Sequence, residues 1–249
     1  MRASDRSIPT SRPAFYALRP GGWRDYVTLL HLPYTAWHLS YVVVGGCLAA
    51  EVDWWTLGLT VLAFALAMGV GAHALDELDG RPLRTEIPSA ALVALAVASV
   101  AAASAIGVAV ALERTLWILP LVAVGVVLVP VYNLELLGGR AHTDLGFALS
   151  WGAFPLLTAF VAQTGALRVE ALLAAAWATA LSLAQRRLSR TVRGLRRDTA
   201  GVEGHLVGVD GERETLTREK LVEPYEAALR LLTVSSILVA ATLVAVRIR

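Results

Sequence analysis

The sequence predicts an all-α, polytopic membrane helical bundle, and three observations carry that reading. Apolar residues make up 56% of the 249 positions. Charged residues make up 17%, against roughly 25% in soluble globular proteins. The apolar residues gather into seven long stretches separated by short polar joints, giving a mean hydropathy of +0.60. A soluble fold would leave so much uninterrupted hydrocarbon exposed and precipitate, whereas a bilayer requires it.

About 20 apolar residues cross roughly 30 Å of hydrocarbon. On that measure the spans fall at about Val27–Ala50, Trp55–Leu75, Ser89–Leu112, Leu116–Tyr132, Leu145–Val161, Val169–Leu183 and Ala227–Val246, the sixth being the shortest. Residues 1–26 read as a cytoplasmic arm, and 27–249 as one membrane domain with a basic cytoplasmic loop at 186–226. Of the 22 Lys and Arg residues, eighteen fall in the arm and in the joints on one side; Arg114, Arg168, Arg247 and Arg249 fall on the other. Cationic residues near span ends are retained in the cytoplasm, which predicts a multi-pass cell-membrane protein with its N-terminus inside and its C-terminus outside. Met1 to Gly22 is punctuated by Arg and Pro and has no apolar core, so no cleavable signal is expected. The single cysteine, Cys47, lies within span one and cannot form an internal disulfide. Trp54, Trp55 and Trp117 stand at outer span ends, where indole rings anchor at the interface.

Chemistry concentrates in the joints. The first runs from Gly71 to Pro88 and carries His73, Asp76, Glu77, Asp79, Arg81 and Arg84. If the second span continues as a helix through Glu77, His73 lies one turn from both Asp76 and Glu77. An imidazole and carboxylates can then meet at one point and hold a divalent cation. Carboxylates favour Mg²⁺, while His73 shifts preference toward Mn²⁺ or another transition metal. The competing reading is that these acids merely end a span and meet Arg81 and Arg84 in water.

The second joint reads Tyr132-Asn133-Leu-Glu135 through Gly138-Gly139-Arg140-Ala-His142-Thr-Asp144-Leu145-Gly146, then Trp151-Gly152-Ala-Phe-Pro155. This run resembles the fourth-to-fifth span connection of the UbiA superfamily of intramembrane prenyltransferases, particularly its menaquinone-pathway branch. Tyr132, Arg140, Leu145, Gly146, Gly152 and Pro155 carry the match. In that register the first joint stands where the family places Asn-Asp-x-x-Asp-x-x-x-Asp and then Arg-Pro-x-Pro-Ser-Gly. Asp76 coincides with the central Asp, and Arg84, Ile87, Pro88 and Ser89 resemble the downstream segment. Ala72 and His73 replace the leading pair, Gly80 replaces the last Asp, and Asp79 lies one residue away.

The third joint departs further. The family's second acidic motif is replaced by a run in which Arg186, Arg187, Arg190, Arg193, Arg196 and Arg197 precede Asp198. Farther on, Gly211 to Leu216 resembles the segment leading into the family's seventh span. The resemblance covers about Leu29 to Ala240.

The resemblance implies transfer of an isoprenyl group from a diphosphate to a lipid or aromatic acceptor, with Mg²⁺ between the acidic motifs and the diphosphate. Guanidinium groups can bind phosphate directly, so arginines on one face of a helix could take over from the second metal. On this reading His73, Asp76 and Tyr132 form the catalytic set. Arg84, Arg140, Arg186, Arg190, Arg193, Arg197 and His31 bind the substrate, and His73, Asp76, Glu77 and Asp79 hold the cation. The arginine cluster also suits anionic membrane lipids or a docked protein, neither of which the pattern excludes; no nucleic-acid partner is expected.

On span one, His31 and His38 lie seven residues apart on one face; His31 can approach the Asp76 region, whereas His38 is deeper, in a structural, proton-transfer or acceptor-binding role. His142 and Asp144 fit either a base or a loop-closing pair. A retinal protein is excluded because the only lysine, Lys220, precedes the last span rather than lying within it. A transporter would need polar groups along a path, and the span interiors are nearly free of charge. Family members generally have nine spans. Seven imply a wider lipid opening, closure by a partner, or a UbiA-like fold repurposed as an inactive lipid binder, carrier or transporter.

Overall fold

A computed structural model of the chain describes residues 12–248. The first eleven residues, including Arg2 and Arg6, and the terminal Arg249 lie outside the described residues.

The regular structure of the described chain is helical apart from one small hairpin, and the seven apolar stretches lie mostly in helices, the first divided between two. The helices are α1 (Trp23–Leu29), α2 (Leu32–Cys47), α3 (Trp54–Leu78), α4 (Ser89–Glu113), α5 (Ile118–Asn133), α6 (Asp144–Thr164), α7 (Val169–Arg193) and α8 (Arg218–Arg247). Strands β1 (His205–Val207) and β2 (Arg213–Thr215) pair antiparallel, with Leu206 opposite Glu214, as an exposed ribbon within the basic loop. The all-α expectation holds, and this hairpin is a local addition whose Gly- and Asp-containing turn supplies the necessary bend.

Four helices, α3, α4, α6 and α8, are long and apolar enough to cross a membrane. In α4 and α8, only 22% of the most apolar window is buried inside the protein, so most of that hydrocarbon faces outward. A lipid environment accounts for such a surface and water does not. Helix α5 is apolar but has 16 residues, about 24 Å at 1.5 Å per residue, and the more polar α2 has the same length.

Span one begins later than the sequence suggests. His31 takes the left-handed conformation (φ 46°) and breaks the chain between α1 and α2, and Pro33 then occupies the first turn, where its missing N–H has no consequence. Span two runs three residues further, to Leu78, which puts His73, Asp76 and Glu77 on a continuous helix. That helix is π-helical from Ala65 to Ala72, and α6 is π-helical from Leu149 to Ala153. Such widened turns leave main-chain carbonyls free for side chains and frequently mark functional sites.

The main core joins α2, α6, α7 and α8 around Trp37, Tyr41, Leu156 and Leu229. Within it Trp37 Nε1 donates to Tyr41 Oη (2.6 Å), and Ser182 Oγ donates to the same oxygen (3.3 Å). The far end of the bundle is tied by polar contacts: Gln163 brackets the Asp53 main chain, Arg114 reaches Asp53, and Arg247 donates to the carbonyls of Cys47 and Ala50. The Thr56 main-chain N–H, then Arg114, hold the Asp53 carboxyl below its ordinary range. All three polar joints lie at the opposite end, where they enclose a cavity.

Candidate functional site

The cavity has a volume of about 410 Å³, within the roughly 300–1,000 Å³ of small-molecule sites. His31, His73, Asp76, Asp79, Tyr132, Arg186, Arg193 and Arg197 all line it. Residues nearly 170 positions apart in sequence therefore meet over one hollow. Glu77, Arg84, Arg140 and Arg190 do not line it.

Glu77 corrects the expected cation set. Its side chain is fully buried and accepts from Leu83 N (2.9 Å), Thr85 N (2.8 Å) and Thr85 Oγ1 (2.9 Å). It clamps the loop after α3, so the Glu77 carboxylate does not face the cavity. Arg81 supports the same loop by donating to the carbonyls of Thr85 and Ile87 and to Ser89 Oγ. Glu77→Gln sets an amide donor against a buried main-chain donor. We expect it to lower stability by roughly 1–3 kcal/mol without weakening divalent-cation binding, as read by thermal unfolding with and without Mg²⁺. Lost cation affinity with unchanged stability would restore Glu77 as a ligand.

Arg84 and Arg140 are exposed on loops outside the cavity wall. Arg84 is held there by a left-handed backbone (φ 58°). Arg190 is largely exposed, pairs with Asp144 and does not reach the cavity wall. Arg186 also pairs with Asp144 (3.3 Å) and donates to His142 Nε2 (2.9 Å). His142 donates its Nδ1 proton to the Tyr132 carbonyl (3.2 Å), and this fixes Nε2 as the acceptor. The two rings stack at 4.7 Å. His142 and Asp144 thus close the loop and orient Arg186.

Arg193 and Arg197 are different. Neither has an ion pair among the described residues, and Arg197 donates only to the Pro13 carbonyl (3.3 Å). Burial, then the charges of Arg186 and Arg197, push the Arg193 guanidinium below its ordinary range. Arginine nevertheless stays charged, so cationic groups are concentrated on one wall with too few acids to neutralise them. Asp76, across the cavity, lies within electrostatic reach of Arg186 and Arg193.

His31 and His73 stack face to face, with centroids 4.0 Å apart and planes 13° apart. His73 Nδ1 donates to the Gly69 carbonyl (3.1 Å), so Nε2 keeps its lone pair. Tyr16 Oη bonds His31 Nδ1 at 3.2 Å. Burial raises the Tyr16 phenol, so the hydroxyl keeps its proton and donates.

Among the described residues, no three His, Cys, Asp or Glu side chains form a group that could hold a metal ion by themselves. Of the four expected ligands, His73, Asp76 and Asp79 line the cavity and Glu77 does not.

Several lining residues went unrecognised in the sequence. Tyr16 belongs to an arm that reads as a tail. Gln185 had a usable signal: with Ser182 and Ser189 it forms a polar row at helical spacing, and all three are buried. Beneath the polar cavity, a second and apolar cleft of about 90 Å³ runs between α3, α4, α5 and α6, and Met68 and Trp151 line both.

Comparison with protein-family models, curated proteins and solved structures yields no match.

Proposed function

We propose that the protein is a UbiA-like membrane prenyltransferase that moves an isoprenyl group from its diphosphate to a lipid or aromatic acceptor. The observation that carries this reading is the meeting, in one cavity, of Arg193 and Arg197, which lack ion pairs among the described residues, with Asp76 and Asp79, above an apolar cleft. A diphosphate is the polar group that matches several cations and a carboxylate-bound metal together. An isoprenyl tail is the apolar group that matches a cleft leading into the membrane.

The carboxylates present fit one Mg²⁺ rather than two facing sets. Mg²⁺ is commonly held by one or two carboxylates plus substrate phosphates, and Asp76 and Asp79 supply those carboxylates. Mn²⁺ or another transition metal could also recruit His73 Nε2. When bound, the ion neutralises charge that develops on the leaving diphosphate. Arg193 and Arg197 grip phosphate oxygens from the other wall, and Arg186, fixed by Asp144 and His142, extends that wall. On this reading the seven apolar stretches cross the cell membrane with the cavity toward the cytoplasm, where soluble diphosphates reside.

The test is turnover. Purified protein with a panel of isoprenyl diphosphates and Mg²⁺ should release diphosphate and yield an alkylated lipid. Asp76→Asn should lower the rate by roughly 100-fold or more, as removal of a group acting on the leaving charge does. Diphosphate binding without turnover across the panel would instead support a repurposed lipid-binding protein.

A further inference from the structure

The segment Pro13–Ala17, on the arm ahead of α1, packs over the polar cavity instead of trailing away from it. Pro13, Ala14, Phe15 and Tyr16 all line the cavity, and Ala14 and Ala17 are buried. The arm comes back because the chain turns at Gly21 and Gly22, whose positive φ angles (112° and 64°) a residue with a Cβ resists. Asp25 holds that turn by accepting from the main-chain N–H groups of Gly21 (3.0 Å) and Glu86 (2.8 Å). Leu18 N donates to Thr28 Oγ1 (3.0 Å). From Leu18 onward the chain is therefore fastened to α1 and to the first joint.

The residues ahead of Leu18 are held differently. Arg197 Nε donates to the Pro13 carbonyl (3.3 Å), the Arg230 guanidinium lies 4.9 Å over the Phe15 ring, and Tyr16 bonds His31. Phe15 and Tyr16 meet the Tyr34 ring edge-on, with centroids 6.4 and 5.6 Å apart. Each contact is modest taken singly. The tie to the arginine wall sets a neutral carbonyl on a cation, and a phosphate oxygen forms a stronger, charge-assisted bond to the same group. An anion arriving at Arg197 thus takes the donor from Pro13.

We propose that Pro13–Ala17 is an autoinhibitory strap: it covers the cavity and occupies Arg197, so the closed strap and an anion on the arginine wall exclude each other. Arg230, which does not line the cavity and is otherwise paired only with Glu226 (3.6 Å), is its latch. The strap regulates the site assigned above and rests on that reading of Arg193 and Arg197. Affinity for the anion is then reduced in proportion to the fraction of molecules with the strap open.

The experiment uses the full chain in detergent micelles. Chymotrypsin cutting after Phe15 and Tyr16, identified by mass spectrometry, reads the open strap, and titration with inorganic pyrophosphate reads the arginine wall. Arg230→Ala should speed cutting about threefold or more, as loss of a cation–π contact does, and should tighten pyrophosphate binding by the same factor. Charge alone predicts the reverse, because the variant has one cation fewer near the cavity. Saturating pyrophosphate should also speed cutting of the wild type, and Phe15→Ala, cut after Tyr16, should repeat both shifts. Protection of the strap by pyrophosphate, or unchanged or weaker binding in both variants, overturns the strap and leaves the transferase reading standing. If pyrophosphate binds none of the proteins, the transferase reading falls and the cutting rates alone decide: equal rates in wild type and Arg230→Ala overturn the strap, and a faster rate in the variant upholds it as a cover.

Discussion

Replacing Arg193 by Ala lowers affinity for an isoprenyl diphosphate by roughly 10- to 100-fold, the equivalent of about 1.5–3 kcal/mol for a charge-assisted hydrogen bond. Arg197→Ala has a smaller effect in the same direction, and Arg190→Ala stays within about twofold of wild type. The ordering follows from what each guanidinium already touches. Arg190 is largely exposed and paired with Asp144, so removing it deletes a surface ion pair at the cavity's edge. Arg193 lines the cavity, is pushed down in pKa by burial and by neighbouring cations, and forms no ion pair among the described residues. Its burial becomes favourable when an anion arrives. Arg197, tied to the Pro13 carbonyl, shares that role with one donor already committed.

The measurement is equilibrium binding of a non-hydrolysable isoprenyl thiodiphosphate to each purified variant, repeated across a salt series. Exposed pairs are screened and buried ones much less so, and the Arg193 contribution should therefore survive ionic strengths that erase the small effect at Arg190. If Arg190→Ala and Arg193→Ala weaken binding equally, the cluster acts as a diffuse basic surface. Anionic lipid headgroups then become the better explanation for it.

How far the sequence discloses this arrangement depends on the kind of interaction involved. Helices are legible because apolar runs have no other stable form in a bilayer, and π-helical bulges within α3 and α6 leave that pattern untouched. The convergence of His73, Asp76, Tyr132 and Arg193 is legible because polar residues collect at the joints that share one end of the bundle. Partner choice within a joint is not legible. Glu77 and Asp76 are adjacent acids on one turn, yet one folds back to clamp Leu83 and Thr85 while the other faces the cavity. Arg190 and Arg193 are separated by less than one turn, and Asp144, carried on another helix, captures only the first. Helical periodicity supplies direction around an axis but says nothing about which neighbouring element presents a countercharge there. Tyr16 is hidden for a related reason, since the turn that returns the arm to the cavity has no periodic signature.

Gly45→Val should strongly destabilise the fold, costing about 3 kcal/mol or more, whereas Gly46→Ala should cost about 1 kcal/mol or less. The two glycines are neighbours on α2 but face different surroundings. A Cβ at Gly45 would sit 2.1 Å from the Leu156 carbonyl oxygen and 2.9 Å from its carbon, so the main chain of α6 occupies the space. Backbone cannot rotate away, and α2 and α6 would have to separate at the centre of the main core, where Trp37, Tyr41 and Leu156 interlock. Close helix crossings inside a membrane depend on small residues, because packing rather than water exclusion drives the association. A Cβ at Gly46 would meet only the Leu57 side chain, 2.6 Å from its terminal Cδ1, which can change rotamer. Thermal unfolding in detergent micelles, followed by loss of helical signal, compares the two directly. Because α2 carries His31 and His38 into the cavity and α6 carries Trp151, separation of these helices should also disturb the cavity wall in any folded Gly45→Val protein. Equal unfolding midpoints for Gly45→Val and Gly46→Ala would mean that α2 and α6 do not cross this closely.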